Sequence, residues 1–231
     1  MQHDLFADDR RDVHLGPGAA ILSGFALDGA DALIAHVERM AALSPFRHLE
    51  TRSGKRMSVA MFNCGALGWV SDRSGYRYDP IDPETGRAWP PLPPLFLDLA
   101  RRAAGALGFH GFVPDACLVN RYVPGARLSL HQDMDEQDHS APIVSVSLGL
   151  PASFLWGGHQ RGDRAVRHRL VHGDVVVWGG PSRMIFHGVE ELQDGNHPVT
   201  GALRYNLTFR KAGPAQIIRQ AMGHPSSFSQ G

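Results

Sequence analysis

The residues best able to do chemistry are His131-Gln132-Asp133, a lone His187, and two arginines, Arg204 and Arg210, in the last strand-like segment. An imidazole and a carboxylate two residues apart project from the same side of an extended segment, so a strand or strand edge aims both at one point. The third ligand must come from elsewhere, and His187 is the candidate. Two histidines and one carboxylate leave about half of an octahedral shell open, the facial arrangement of non-haem Fe(II) oxygenases. In Arg204-Tyr205-Asn206-Leu207-Thr208-Phe209-Arg210 the alternation is strict, with Arg204, Asn206, Thr208 and Arg210 on one side. A guanidinium is a planar fork that matches a carboxylate, so two of them beside a metal suit a dicarboxylate co-substrate. Plainer readings stand beside these. The chain has 13 His, a bare H-x-D is common, and the polar face of an antiparallel strand can simply meet water.

The elements that must position these residues follow from pattern and length. At 231 residues the chain fits one domain, long enough to bury a core without disulfide staples. Lys+Arg and Asp+Glu are both 23, so any nucleic-acid contact must be local. Cys64 and Cys117 are too few for a disulfide framework, and no apolar run approaches the roughly 18 residues of a membrane span. The expectation is a soluble, cytoplasmic, monomeric protein; the sequon at Asn206-Leu207-Thr208 is read as chance.

Residues 1 to about 18 and 211 to 231 are expected to be flexible ends outside the core, with a possible amphipathic stretch at Ile217 to Met222. Between them, 19–210 is read as a single catalytic domain. Ala19 to Phe25 is a strand candidate. Asp28 is expected to cap a helix through Leu43, with Leu33, Ile34, Val37 and Met40 inward, and a second helix runs from about Pro93 to Leu107. Residues 46–91 lack clean periodicity and read as a lid. From Ala116 onward strands follow one another: Ala116 to Tyr122, Ile143 to Leu150, Ser153 to Trp156, Arg169 to His172, Val175 to Trp178, Met184 to Val189 and Leu203 to Arg210. Two helices and then many short strands predict an α+β, mainly β protein, a double-stranded β-helix (jelly roll) with two supporting N-terminal helices.

The sequence resembles the AlkB family, its bacterial DNA-repair branch above all. The likeness rests on Asn120-Arg121-Tyr122-Val123-Pro124-Gly125, Leu130-His131-Gln132-Asp133, Val144 to Gly149, His172-Gly173-Asp174 through Gly180, and Arg204 to Arg210. It runs from about Ser44 to Arg210 and takes in Met57 to Met61 and Gly68-Trp69. The resemblance implies a 2-oxoglutarate-dependent dioxygenase, an oxidoreductase that uses Fe(II) and O2 to strip methyl groups from bases such as 1-methyladenine and 3-methylcytosine. The products would be formaldehyde, succinate and CO2, and the role DNA repair. It implies His131, Asp133 and His187 as metal ligands. It places Arg204 at the chelating end of 2-oxoglutarate and Arg210 at its distal carboxylate, helped by Asn120, Tyr122 and Asn206. Trp69, Tyr76, Asp135, Met61, Arg127 and Arg161 would handle alkylated DNA, single-stranded or with a flipped base, and possibly RNA.

Departures from the family pattern are Lys55 and Arg56 in the lid, and Met134 where a lysine is expected. They bear on substrate preference. Two other classes remain open at this stage: the same iron chemistry on a protein or small molecule, and a non-catalytic, cupin-like metal-binding module. Gln132 has no assigned role.

Overall fold

The structure is a computed structural model and describes residues 10–214. The chain opens with β1 (Val13–Gly16) and β2 (Ala19–Leu22), then α1 (Ala30–Leu43), and continues through β3 (Ala60–Gly65), β4 (Gly68–Asp72), β5 (Gly75–Asp79) and α2 (Pro94–Ala106). Eight strands complete it: β6 (Ala116–Tyr122), β7 (Leu128–His131), β8 (Ile143–Gly149), β9 (Ala152–Trp156), β10 (Val166–Leu170), β11 (Val175–Trp178), β12 (His187–Val189) and β13 (Arg204–Arg210). A seven-stranded sheet, ordered β1-β2-β11-β8-β13-β6-β3, faces a four-stranded sheet, β10-β9-β12-β7, and β4-β5 is a separate hairpin. All pairings are antiparallel, the arrangement of a double-sheet jelly roll.

Strand alternation divides the major sheet into two working faces. Val144, Val146 and Leu148 of β8 and Tyr205, Leu207 and Phe209 of β13 pack with Leu33, Val37, Phe96 and Leu99 of the helices. The other face carries Ser145, Ser147, Arg204, Asn206 and Thr208, and every residue of β13 is buried. That excludes the water-facing reading of this strand. Between the sheets a second cluster holds Ile21, Met61, Tyr122, Phe154, Trp156 and Trp178. Polar side chains thus point into a cleft that one apolar layer backs and another flanks.

Several expectations are corrected. Asp28 does not cap α1: Gly29 occupies the N-cap position with no side-chain bond, and Asp28 lies in a preceding 3-10 turn. Val13–Gly16, expected in a flexible end, pairs with β2 as an edge strand, although none of its residues is buried and it stays outside the core as expected. The strand placed at Arg169 to His172 runs from Val166 to Leu170, because the turn through Asp174 begins at Val171, whose N–H donates to Asp174. The strand placed at Met184 starts only at His187. Within 46–91, β3 joins the major sheet beside β6 and β4-β5 forms a hairpin. At the far end Lys211, Ala212 and Gly213 bind Asp115, Lys211 by an ion pair of 2.6 Å. Ile217 to Met222 lies outside the described residues.

Candidate metal centre and co-substrate pocket

His131 ends β7 and His187 begins β12, and the two are direct cross-strand partners. Simple alternation would not put His131 in the cleft, because Leu128 already packs toward the inner core. A β-bulge resolves this: His187 and Val189 pair with His131 and Leu128, so two steps on β12 match three on β7. Bulges re-aim side chains in this way beside active sites. Gly188 makes it possible, since a Cβ there would stand 2.7 Å from the Leu128 carbonyl oxygen.

Each imidazole is oriented through Nδ1, His131 on the Ser129 carbonyl (2.9 Å) and His187 on the Ile185 carbonyl (3.0 Å). This leaves both Nε2 atoms facing Asp133, at 3.7 Å from Oδ1 and 3.8 Å from Oδ2. Ligand atoms of His131, Asp133 and His187 all lie within 4.8 Å of one another. Asp133 reaches this point from irregular chain beyond the end of β7, not from the strand itself. Gln132 holds the intervening turn by donating to the Met184 carbonyl (2.6 Å). Burial, followed by the neighbouring His131, pulls the His187 pKa down to about 4, so its ring is neutral near pH 7. Burial alone would raise the Asp133 carboxyl, but Arg210 and then both histidines outweigh it and hold it well below the ordinary carboxylate range. A neutral imidazole and an ionised carboxylate with fixed orientation are what a divalent metal requires.

The two arginines have different surroundings, and these reverse the expected assignment. Arg210 grips Asp133 through Nη2 to Oδ1 (2.9 Å) and Nε to Oδ2 (3.2 Å), so it sits at the metal end. Arg204 is 1% exposed and spends one Nη2 bond on Ser147 (3.0 Å), while its Nε and Nη1 have no partner. Its guanidinium lies 5.9 Å from the Tyr122 ring centroid. A buried, charged donor left unpaired costs several kcal/mol, roughly, unless an anion meets it. The donors left open to a carboxylate are therefore those of Arg204, while Arg210 is engaged by Asp133. Between the two, Asn206 donates to Ser145 (2.7 Å) and accepts from Asn120 (3.2 Å) and Thr208 (2.9 Å), while burial raises the Tyr122 hydroxyl to about 12 and keeps it a donor.

Sequence reading missed a second layer. Arg183 donates to the Asp133 backbone carbonyl (2.7 Å) and to Glu136 (2.9 Å), and the Tyr78 hydroxyl donates to the same Glu136 (2.7 Å). Glu136 lies in an acidic run that reads as solvated, and only burial reveals its use.

Among the expected nucleic-acid contacts, three come together. Trp69 and Tyr76 stack at 5.6 Å between centroids, and the Trp69 indole donates to Asp135 (2.8 Å). Met61 is buried on β3 and shares with Trp69 a cavity of about 160 Å³. Arg161 lies over Phe186, next to His187, at 5.2 Å. Arg127 is not among this group: it lines a separate groove of about 810 Å³ with Ser129, Leu155 and Arg169.

Fold and centre together define a class, and residues 18–210 match the 2OG-Fe(II) oxygenase superfamily. The chain belongs to it and is an Fe(II)- and 2-oxoglutarate-dependent dioxygenase. It is 56% identical to the alpha-ketoglutarate-dependent dioxygenase AlkB of Escherichia coli (strain K12), over 91% of this chain and 98% of that one. Within the superfamily the chain is a member of the AlkB family, on its bacterial branch. A DNA N(6)-methyladenine demethylase, ALKBH1C of Arabidopsis thaliana, is 30% identical over 84% of this chain and 48% of its own length. The solved structure of OsALKBH1 superposes with a TM-score of 0.78 at 31% identity, covering 87% of this chain and 100% of that one. Among the described residues no helix is long and apolar enough to cross a membrane.

Proposed function

We propose that this protein repairs alkylated DNA, with RNA as a second substrate, by oxidative demethylation of bases such as 1-methyladenine and 3-methylcytosine. When bound, Fe(II) with 2-oxoglutarate and O2 supplies the oxidation of an N-methyl C–H bond, with succinate, CO2 and formaldehyde as products and the base restored. His131, Asp133 and His187 hold the metal through atoms already turned toward one another. Arg204 takes the distal carboxylate of 2-oxoglutarate, and Arg210 orients Asp133 at the chelating end, with Asn120, Tyr122 and Asn206 between them.

The single observation that carries the co-substrate is the pair of unpartnered guanidinium nitrogens, Nε and Nη1, on buried Arg204. The substrate reading rests on the hairpin. Trp69 and Tyr76 present aromatic faces on which a flipped or single-stranded base stacks, a contact of roughly 1–3 kcal/mol per base. Asp135 accepts a hydrogen bond from the exocyclic amine of that base through Oδ1, beside the Oδ2 that takes the Trp69 N–H. Arg161, and Arg127 at the rim of its own groove, meet phosphates. The buried free thiols of Cys64 and Cys117 support a reducing, cytoplasmic setting.

The test incubates the protein with Fe(II), ascorbate, 2-oxoglutarate and a single-stranded oligonucleotide carrying 1-methyladenine or 3-methylcytosine. Loss of the methyl with release of formaldehyde is expected. Succinate without demethylation would move the substrate to a protein or small molecule.

A further inference from the structure

The hairpin that carries Trp69 and Tyr76 is fastened to the loop after the metal carboxylate at two points. One is exposed, the Trp69 bond to Asp135. The other is partly buried: the Tyr78 hydroxyl donates to Glu136, whose side chain is 2% exposed. Glu136 gives its other oxygen to Arg183 and lies 3.3 Å from Arg210 Nε. Those two guanidiniums hold Asp133, Arg210 by both carboxylate oxygens and Arg183 by the backbone carbonyl. One carboxylate thus joins the base-facing hairpin to the groups that set the metal end of the co-substrate pocket.

The hairpin is built to transmit a displacement. Trp69 and Tyr78 are direct cross-strand partners, with Tyr76 on the same face. Its open end is anchored, because Trp89 donates to the Asp79 carbonyl (2.7 Å) and is packed against Gly68, where a Cβ would stand 2.3 Å from the ring. Behind Trp69 lies the cavity of about 160 Å³, bounded by Met61, Val70 and Trp89, which leaves the indole room to move. A base that bonds to Asp135, whose Oδ1 accepts no other bond among the described residues, bears on the carboxylate that holds the Trp69 indole through Oδ2. The strand partner of that indole, Tyr78, is the next group to feel it. Burial keeps the Tyr78 hydroxyl protonated, so it remains a donor to Glu136.

We propose that Tyr78 and Glu136 are positioning residues that couple occupancy of the base site to the Arg210–Asp133 end of the co-substrate pocket, so that modified base and 2-oxoglutarate bind cooperatively. The proposal rests on the nucleic-acid reading above. Such a coupling is reciprocal: each ligand raises the affinity of the other by one common factor, typically about 5–150-fold.

The experiment is anaerobic calorimetry on the full-length, Fe(II)-loaded protein, titrated with 2-oxoglutarate in the presence and absence of a single-stranded 1-methyladenine oligonucleotide. The wild type is expected to bind 2-oxoglutarate about fivefold or more tighter with the oligonucleotide present. Tyr78→Phe keeps the ring and removes the hydroxyl. It should hold each separate affinity within about threefold yet bring the factor below about twofold. A variant that loses thermal stability and both affinities while the factor stays at its wild-type value overturns the proposal, as does a wild-type factor of one. Demethylation by the wild type is scored on the same oligonucleotide. Demethylation without cooperativity sinks the coupling alone; an oligonucleotide neither bound nor demethylated sinks both readings.

Discussion

The metal and co-substrate end and the base-recognition end of this molecule are built on opposite physical terms. At the first, Asp133, His187, Arg204, Asn206 and Arg210 are all buried and, except for the open donors of Arg204, closely hydrogen-bonded. At the second, Tyr76 is 48% exposed, Met134 60%, and the Trp69–Asp135 bond lies at the surface. Fixed ligands suit chemistry that is the same for every turnover, because orientation is set before the substrate arrives. A half-exposed hairpin suits a substrate that must be pulled from a stack. Glu136 stands between these regions, and substitutions on either side of it should separate them.

The largest effect is expected from Asp133→Ala. It removes a metal ligand and leaves Arg210 without its carboxylate partner, so turnover should vanish and the metal-free fold should also lose roughly 3–5 kcal/mol. Succinate release and a denaturant melt check the two halves. A variant with wild-type turnover would take Asp133 out of the centre.

Next come the arginines, which the structure predicts to be unequal. Arg204→Ala should raise the KM for 2-oxoglutarate by about 10- to 100-fold, the worth of a charged hydrogen-bonded contact, with metal affinity unchanged. Arg210→Ala should weaken metal and co-substrate together, because it frees Asp133 to reorient. Titrations of both ligands against both variants decide it. If Arg210→Ala left metal binding intact, the two ends of the pocket would have to be exchanged again.

That exchange shows where sequence stops being informative. The alternation of Arg204 to Arg210, the H-x-D triplet and the distal His187 are local patterns, and they carried the chemistry and the strand β13 correctly. Which arginine lies at the metal depends on strand order and register, with β13 between β8 and β6, and no local pattern contains that. The bulge in β7 is equally invisible, since only the pairing with β12 shows one residue too many. Tyr78, Glu136 and Arg183 come from three separate segments and share one ion cluster. β3 was missed because Met61-Phe62-Asn63-Cys64 mixes polar and apolar residues, although all four are buried.

A smaller effect concerns pH and the metal-free protein. His187 ionises at about 4 in the fold against an ordinary 6.5, so between these values the unfolded chain binds a proton that the folded one refuses. Stability present above pH 6.5 should therefore be lost progressively as the pH falls toward 4, by up to about 3 kcal/mol. Asp133, whose carboxyl is depressed, adds its own loss only at more acidic pH. Denaturant melts of His187→Gln should lack the upper part of this slope.

The smallest effect should separate recognition from stability most cleanly. Met134 is exposed beside Asp135, where a lysine was expected from the family pattern. Met134→Lys buries nothing and removes no bond, so melting should change by no more than about 0.5 kcal/mol in free energy. A cation beside the Trp69–Asp135 mouth does act on a phosphate backbone, and on a single strand each neutralised phosphate steepens the dependence of log K on log salt by about 0.7. Fluorescence anisotropy of a labelled single-stranded oligonucleotide from low to moderate salt measures that slope directly. A steeper slope with unchanged melting and unchanged KM for 2-oxoglutarate would place the strand across Met134 and confirm that the outer end can be altered without touching the inner one. An unchanged slope would put the strand on the other side of the mouth, toward Arg161.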